Sequence, residues 1–254
     1  MNKQEARQHH LDLRTGDVGR YVFLPGDPAR SEKIAAYFDN ARMVAQKREY
    51  VTYTGTLAGE KVSVTSTGIG CPSTAIAVEE LIAVGADTFI RVGTSGAIQP
   101  DTRTGDVAIV TAAIRDEGSS RQYMPIEFPA VADLDVVLAM REGAERAGVP
   151  YQLGITQSKD SFYGEVEPER MPVAGILHER WQAWRQGGAI CSEMEAATIF
   201  VLASIYGKRA GGVMLMAAPS RPEEDTEDRS VLWDIDRAIR TAIEGVKALI
   251  ELDR

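Results

Sequence analysis

The sequence predicts the α/β class. Short β-branched runs alternate with helical patterns from end to end, and no tandem repeat, low-complexity tract or linker interrupts them. Such alternation implies a sandwich with a largely covered sheet, whose ligands gather at strand ends where loops meet. With 254 residues and no break in composition, a single domain over residues 1–254 is expected.

Element by element, "RYVFLPGDP" (20–28) reads as a strand running into a turn, and "PARSEKIAAYF" (28–38) as a helix with Pro28 at its first position. "YVTYTGTL" (50–57) and "EKVSVTST" (60–67), joined around Ala58-Gly59, read as a hairpin. "PSTAIAVEELIAVG" (72–85) is helical, "DTFIRVG" (87–93) a strand, and "GDVAIVTAAIRD" (105–116) a long strand. A helix over 132–148 leads to a strand over 151–158, a polar loop, and a helix over 178–188. The apolar helix 192–207, the buried strand 209–219 and an amphipathic helix over 228–252 complete the chain.

Composition narrows the function classes. Net charge is −9, which argues against a nucleic-acid surface, since that would show a basic face. No run approaches the ~18 apolar residues of a membrane span, and the polar start "MNKQEARQHHLDLR" does not read as a secretory signal. Two cysteines, Cys71 and Cys191, with no CxxC spacing, point to a reducing cytoplasm. On so acidic a chain, an anionic substrate needs local arginines.

Three stretches could meet that need. In "LPGDPAR" (24–30), Gly26 allows close backbone approach, Asp27 can cap the next helix, and Arg30 lies in its first turn, an arrangement suited either to an anion or to a plain strand–helix junction. In "DTFIRVGTSGAIQP" (87–100), Arg91 ends an apolar strand, and Gly93, Thr94, Ser95 and Gly96 read as a turn able to nest an anion. The alternative is an internal salt bridge from Arg91 to a carboxylate. Arg48, in "QKREY", is a third cation. In "CSEMEAATIF" (191–200), Ser192 and Glu195 have capping-box spacing, whereas Glu193 lacks that structural reason. Carboxylates at a helix start also suit a vicinal diol.

"LPGDPAR", "REY", "STGIGCPSTAIAVEEL", "RVGTSGAIQP", "GDV" and "SEMEAAT" occur in the order seen in uridine phosphorylases, and the chain resembles the nucleoside phosphorylase-I family over nearly its whole length. The resemblance implies a three-layer α/β/α sandwich with a central mixed sheet. It also implies cleavage of a nucleoside by inorganic phosphate to free base and ribose 1-phosphate, with uridine as the leading substrate. A purine or broad-specificity phosphorylase is the alternative, followed by a noncatalytic nucleoside-binding protein. A hydrolytic nucleosidase is disfavoured, because it has no need of three phosphate-facing arginines.

By the same resemblance Gly26, Arg30, Arg91 and Thr94 bind phosphate, and Arg48 reaches it from a neighbouring subunit. Glu193, Met194 and Glu195 hold ribose, His10 reaches its 5′-hydroxyl across the dimer interface, and Phe162 stacks on the nucleoside. The usual uracil-reading Gln-x-Arg is replaced by Val166 and Pro168 in "KDSFYGEVEPERMP" (159–172). Lys159 is then expected to stabilise charge on the leaving base, with Glu165 accepting a base N–H and Arg221 as a pocket arginine; a surface position is the alternative for Lys159. Glu49, Ile69 and Ser73 match a monovalent-cation site, taken as potassium in a structural role; no His/Cys cluster suggests a transition metal. No organic cofactor is implied. Shared sites imply at least a homodimer, and the family commonly assembles three such dimers into a hexamer.

Overall fold

The computed structural model describes residues 7–219 and 234–254. β1 (Tyr21–Pro25) is buried along its length, as a parallel strand between two neighbours must be. α1 (Pro28–Ala35) begins where the Asp27 side chain accepts the Ala29 amide at 2.9 Å. Residues 39–47 carry no clean alternation, yet β2 (Asp39–Lys47) forms there as a mostly exposed strand. It pairs with β3 (Tyr50–Leu57) through two register shifts. β3 and β4 (Glu60–Thr65) make the expected hairpin. Its turn residues Ala58 and Gly59 have φ of 50° and 82°, the left-handed pair that matches strand twist.

α2 (Cys71–Ala83) leads to β5 (Thr88–Ala97). Here the structure corrects the expected strand end. β5 pairs along its whole length with β10 (Arg209–Pro219), so Gly93–Gly96 is strand rather than an anion-binding turn. β6 (Val107–Asp116), β7 (Ala130–Val131), α3 (Leu134–Ala147) and β8 (Tyr151–Lys159) follow. The expected polar loop holds α4 (Phe162–Val166) and a 3-10 turn, Pro168–Arg170. α5 (Ala174–Gln186) begins four residues before the expected start. β9 (Cys191–Glu193) occupies the first residues of the helix expected from 192, and α6 begins later (Ala196–Ile205). α7 (Asp236–Leu252) fills the end of the chain.

The sheet is mixed and runs β10-β6-β8-β9-β5-β1-β4-β3-β2, with β7 beside β6. Because β10 also pairs with β5, the strands β10, β6, β8, β9 and β5 close into a ring, and β1, β4, β3 and β2 extend from it as a wing. Helices cover both faces. An added Cβ at Gly211 would meet Val136 of α3, whereas one at Gly212 would meet the Arg91 side chain. Arg91 therefore lies on the face opposite α3, with α2 and α6. No helix among the described residues is long and apolar enough to cross a membrane.

Candidate active site

Arg91 is the fourth residue of β5 and is almost fully buried. One guanidinium nitrogen donates to the Leu24 carbonyl at 3.1 Å and the other to Glu195 Oε2 at 2.5 Å. Its Nε is buried with no acceptor among the described residues. Gly26 sits against this guanidinium: a Cβ there would lie 3.4 Å from Nη1 and 3.1 Å from the Gly68 carbonyl, so only glycine leaves the approach open. Arg30, half-buried on α1, faces the same place. Burial, and then the neighbouring Arg91 charge, pull its pKa down. Two arginines converge here with the Asp27 and Glu195 carboxylates beside them, and the buried Arg91 Nε, without an acceptor among the described residues, leaves a donor for an incoming anion.

Glu195 comes from the N-terminal boundary of α6, and its Oε1 accepts the Gly70 amide at 2.7 Å. The capping-box expectation is overturned. Ser192 lies in β9, and the carboxylate serving the helix amides is Glu193, whose Oε2 accepts from the Glu195 and Ala196 amides at 2.9 Å each. The other Glu193 oxygen accepts from Ser158 Oγ at 2.5 Å, and Ser158 Oγ in turn accepts the Ala197 amide at 2.9 Å. Burial, and then the Glu195 charge, push the Glu193 pKa up to about 7, against the opposing pull of Arg91 and the Ser158 hydrogen bond. Met194 is half-buried between the two glutamates, its carbonyl accepting from Cys71 Sγ at 3.2 Å.

Strand alternation divides the remaining residues. β8 and β9 pair in parallel with Gln157 opposite Ser192 and Ser158 opposite Glu193. Ser158 and Glu193 thus share the Arg91 face, while Gln157, Lys159 and Ser192 share the other. Thr94 follows Gly96, the partner of Ser192, onto that second face; the structure separates its side chain from Arg91. Lys159 is buried, so the surface alternative fails. Its ammonium donates to Ser192 Oγ at 2.5 Å and pairs with Glu165 Oε1 at 3.1 Å. Lys159 and Glu165 line a cavity of about 190 Å³ with Asp116, Gln157, Trp181 and Trp184.

Among the described residues, the side chains of the other expected residues make no hydrogen bond to Arg91, Glu195 or Lys159. Phe162, first in α4, is 52% exposed and packs edge-on against Tyr163. His10 is held by Glu80 of α2, its Nδ1 at 2.7 Å from Oε1, and so is ordered rather than a loose terminal side chain. Arg48 is exposed at the β2–β3 turn with φ 54°. Glu49, Ile69 and Ser73 do meet: Ser73 Oγ donates to the Ile69 carbonyl at 3.3 Å, and both Glu49 and Ser73 crowd Gly68. Arg221 lies outside the described residues. Sequence reasoning missed Ser158, Gln157 and Ser192 as partners of the charged groups. Period-two alternation beside Lys159 and Glu193 was the available signal.

The family model described as "Phosphorylase superfamily" matches residues 20–251. Uridine phosphorylase of Treponema pallidum is 52% identical over 247 residues, covering 97% of this chain and 95% of that protein. Uridine phosphorylase of Thermococcus kodakarensis is 49% identical over 252 residues, 98% of this chain and 89% of that protein. Guanosine phosphorylase of Halorubrum lacusprofundi is 38% identical over 251 residues, 96% of this chain and 100% of that protein.

Proposed function

The chain belongs to the phosphorylase superfamily, and from that premise we propose that it is a pentosyltransferase cleaving uridine by phosphorolysis to uracil and ribose 1-phosphate. The observation that carries this reading is Arg91: a buried guanidinium whose Nε has no acceptor among the described residues, beside a second arginine and against a glycine. Phosphate accepts from Arg91 and Arg30 and approaches over Gly26, each charge-assisted hydrogen bond contributing about 1.5–3 kcal/mol. Glu195 and Met194 hold the ribose, and Glu193 with Ser158 fixes the backbone that presents them.

In the reaction a phosphate oxygen attacks C1′ as the C1′–N bond breaks. The bonding electron pair leaves with the base, which takes its proton from solvent. Phosphate is the nucleophile, so alignment supplies much of the acceleration. The Lys159 ammonium stabilises charge gathering on the base. Glu195 lies between the two substrates. It holds Arg91 before phosphate arrives and turns oxygens to the ribose diol afterwards.

The domain is single, spanning residues 1–254. Arg48, His10 and Phe162 complete the site in a homodimer-based hexamer, with Thr94 contributing its backbone and Arg221 lying beside the base. Glu49, Ser73 and the Ile69 carbonyl are hard oxygen donors suited to a potassium ion with a structural role. The deciding experiment measures base release from uridine and inosine, with and without phosphate. Phosphate-dependent uracil release with inosine inert is expected. Inosine cleavage would favour the purine reading, for which the guanosine phosphorylase relative speaks, and no turnover would return the fold to nucleoside binding.

A further inference from the structure

The Lys159–Glu165 pair is an unusual way to floor a cavity. Both side chains are more than nine-tenths buried, and a buried ion pair is weak as a stabilising device. It sits at the centre of a hydrogen-bonded chain. Arg180 pairs with Asp116; Asp116 accepts from Gln157 Nε2 at 2.7 Å; the Gln157 carbonyl oxygen therefore faces Ser192, 2.7 Å away. Ser192 accepts from Lys159, and its hydroxyl also lies 2.7 Å from Glu165 Oε2. Ionised carboxylates cannot donate and an ammonium cannot accept, so Gln157, Glu165 and Lys159 keep their directions, while the single Ser192 proton goes either to Gln157 or to Glu165. The cavity thus presents a permanent acceptor beside a permanent donor.

We propose that Lys159 and Glu165 together read the imide edge of the base, an N–H next to a carbonyl, and that Ser192 and Gln157 lock the direction of that readout. This rests on the proposed phosphorolysis. Uracil offers N3–H to Glu165 and a neighbouring carbonyl to Lys159. Cytosine offers a bare N3 lone pair and an amino group, so acceptor meets acceptor and donor meets donor. An amide reader such as glutamine can flip to suit either edge; this pair cannot. The substrate class is therefore nucleosides whose base carries an N–H/C=O edge, with the Trp181 and Trp184 side chains walling the cavity and limiting ring size. Sugar and base clusters are one residue apart on β8 and on β9, on opposite faces, and the proposal requires the nucleoside to lie across the strand ends between them.

The test measures phosphate-dependent base release from uridine, cytidine and N3-methyluridine by the unaltered protein, which removes any question of variant folding. Cytidine and N3-methyluridine are each expected to fall by roughly 100-fold or more in kcat/KM, because either leaves buried polar groups unpaired. Turnover of N3-methyluridine or cytidine at the uridine rate would overturn the inference while leaving phosphorolysis intact. Glu165→Gln should narrow the uridine-to-cytidine ratio, and an unchanged ratio in the folded variant would also overturn it. If uridine itself is not cleaved, the proposed function fails. Calorimetry with free uracil and N3-methyluracil then decides the inference: binding of uracil alone supports it, and equal or absent binding refutes it.

Discussion

Arg91 and Glu195 are within hydrogen-bond distance because strand and helix boundaries bring them together, and this pairing sets the first prediction. Arg91→Lys keeps the charge but loses the fork that can serve Glu195 and phosphate together. It should lower kcat/KM for phosphate by roughly 10- to 100-fold, the equivalent of one charge-assisted hydrogen bond, with unchanged far-UV circular dichroism. A wild-type KM for phosphate would remove Arg91 from the anion site. Glu193 supplies the second prediction. Its folded pKa, about 7, lies above the ordinary value of 4.5, so the native state binds the extra proton and stability falls as pH rises through that window. Glu193→Gln, neutral at every pH, should flatten the fall. A Tm difference between the two proteins that stays constant from about pH 5 to pH 7 would contradict the raised value. Gly26 and Arg30 were legible in the sequence because each is tied to a strand end or helix start by its neighbours, and Arg91 because an arginine in an apolar run needs a partner, although β5 runs six residues beyond it. The division of labour between Glu193 and Glu195 was not legible, since spacing alone cannot show that residues 191–193 are strand and that Ser158 lies opposite.

At the scale of elements, the helices, the hairpin and most strands announced themselves by periodicity, whereas β2 and the extension of β5 did not. β2 is mostly exposed and its register is broken twice, so its residues show no alternation. The second half of β5 looks like a turn, "GTSG", until β10 pairs with it, a contact from more than a hundred residues away. The packing of α3 on α7 depends on a similar close approach. A Cβ at Gly143 would stand 2.4 Å from both the Gly245 amide nitrogen and the Thr241 carbonyl oxygen. Gly143→Ala forces these backbones apart and should cost about 1–3 kcal/mol. That lowers Tm by roughly 2–4 °C for each kcal/mol in a chain of this size. An unchanged Tm would mean the two helices separate freely.

For the whole molecule, the open question is how many chains make a site. The exposed arginine at the β2–β3 turn is held in a left-handed conformation that costs of order 1 kcal/mol or more, and the tight turn presents its side chain outward. If Arg48 serves a neighbour's phosphate, Arg48→Ala should raise the KM for phosphate several-fold without altering the assembly. Light scattering should give at least twice the 27.7 kDa chain mass. An active monomer, or an unaltered KM, would confine Arg48 to the turn. The ring of five strands has its own consequence for how the protein opens. A strand in a closed ring cannot fray from one side, because freeing it breaks two ladders at once. Amide protons of β5, β6 and β10 should therefore exchange with deuterium only by global unfolding and share one protection level. Those of β2, bonded on one side, should exchange orders of magnitude sooner by local opening. Equal protection across ring and wing, measured by hydrogen–deuterium exchange, would show that closure adds nothing. With the ring closed, the hairpin carrying Arg48 is the first part of the sheet to move, while the strand carrying Arg91 stays fixed until the entire fold lets go.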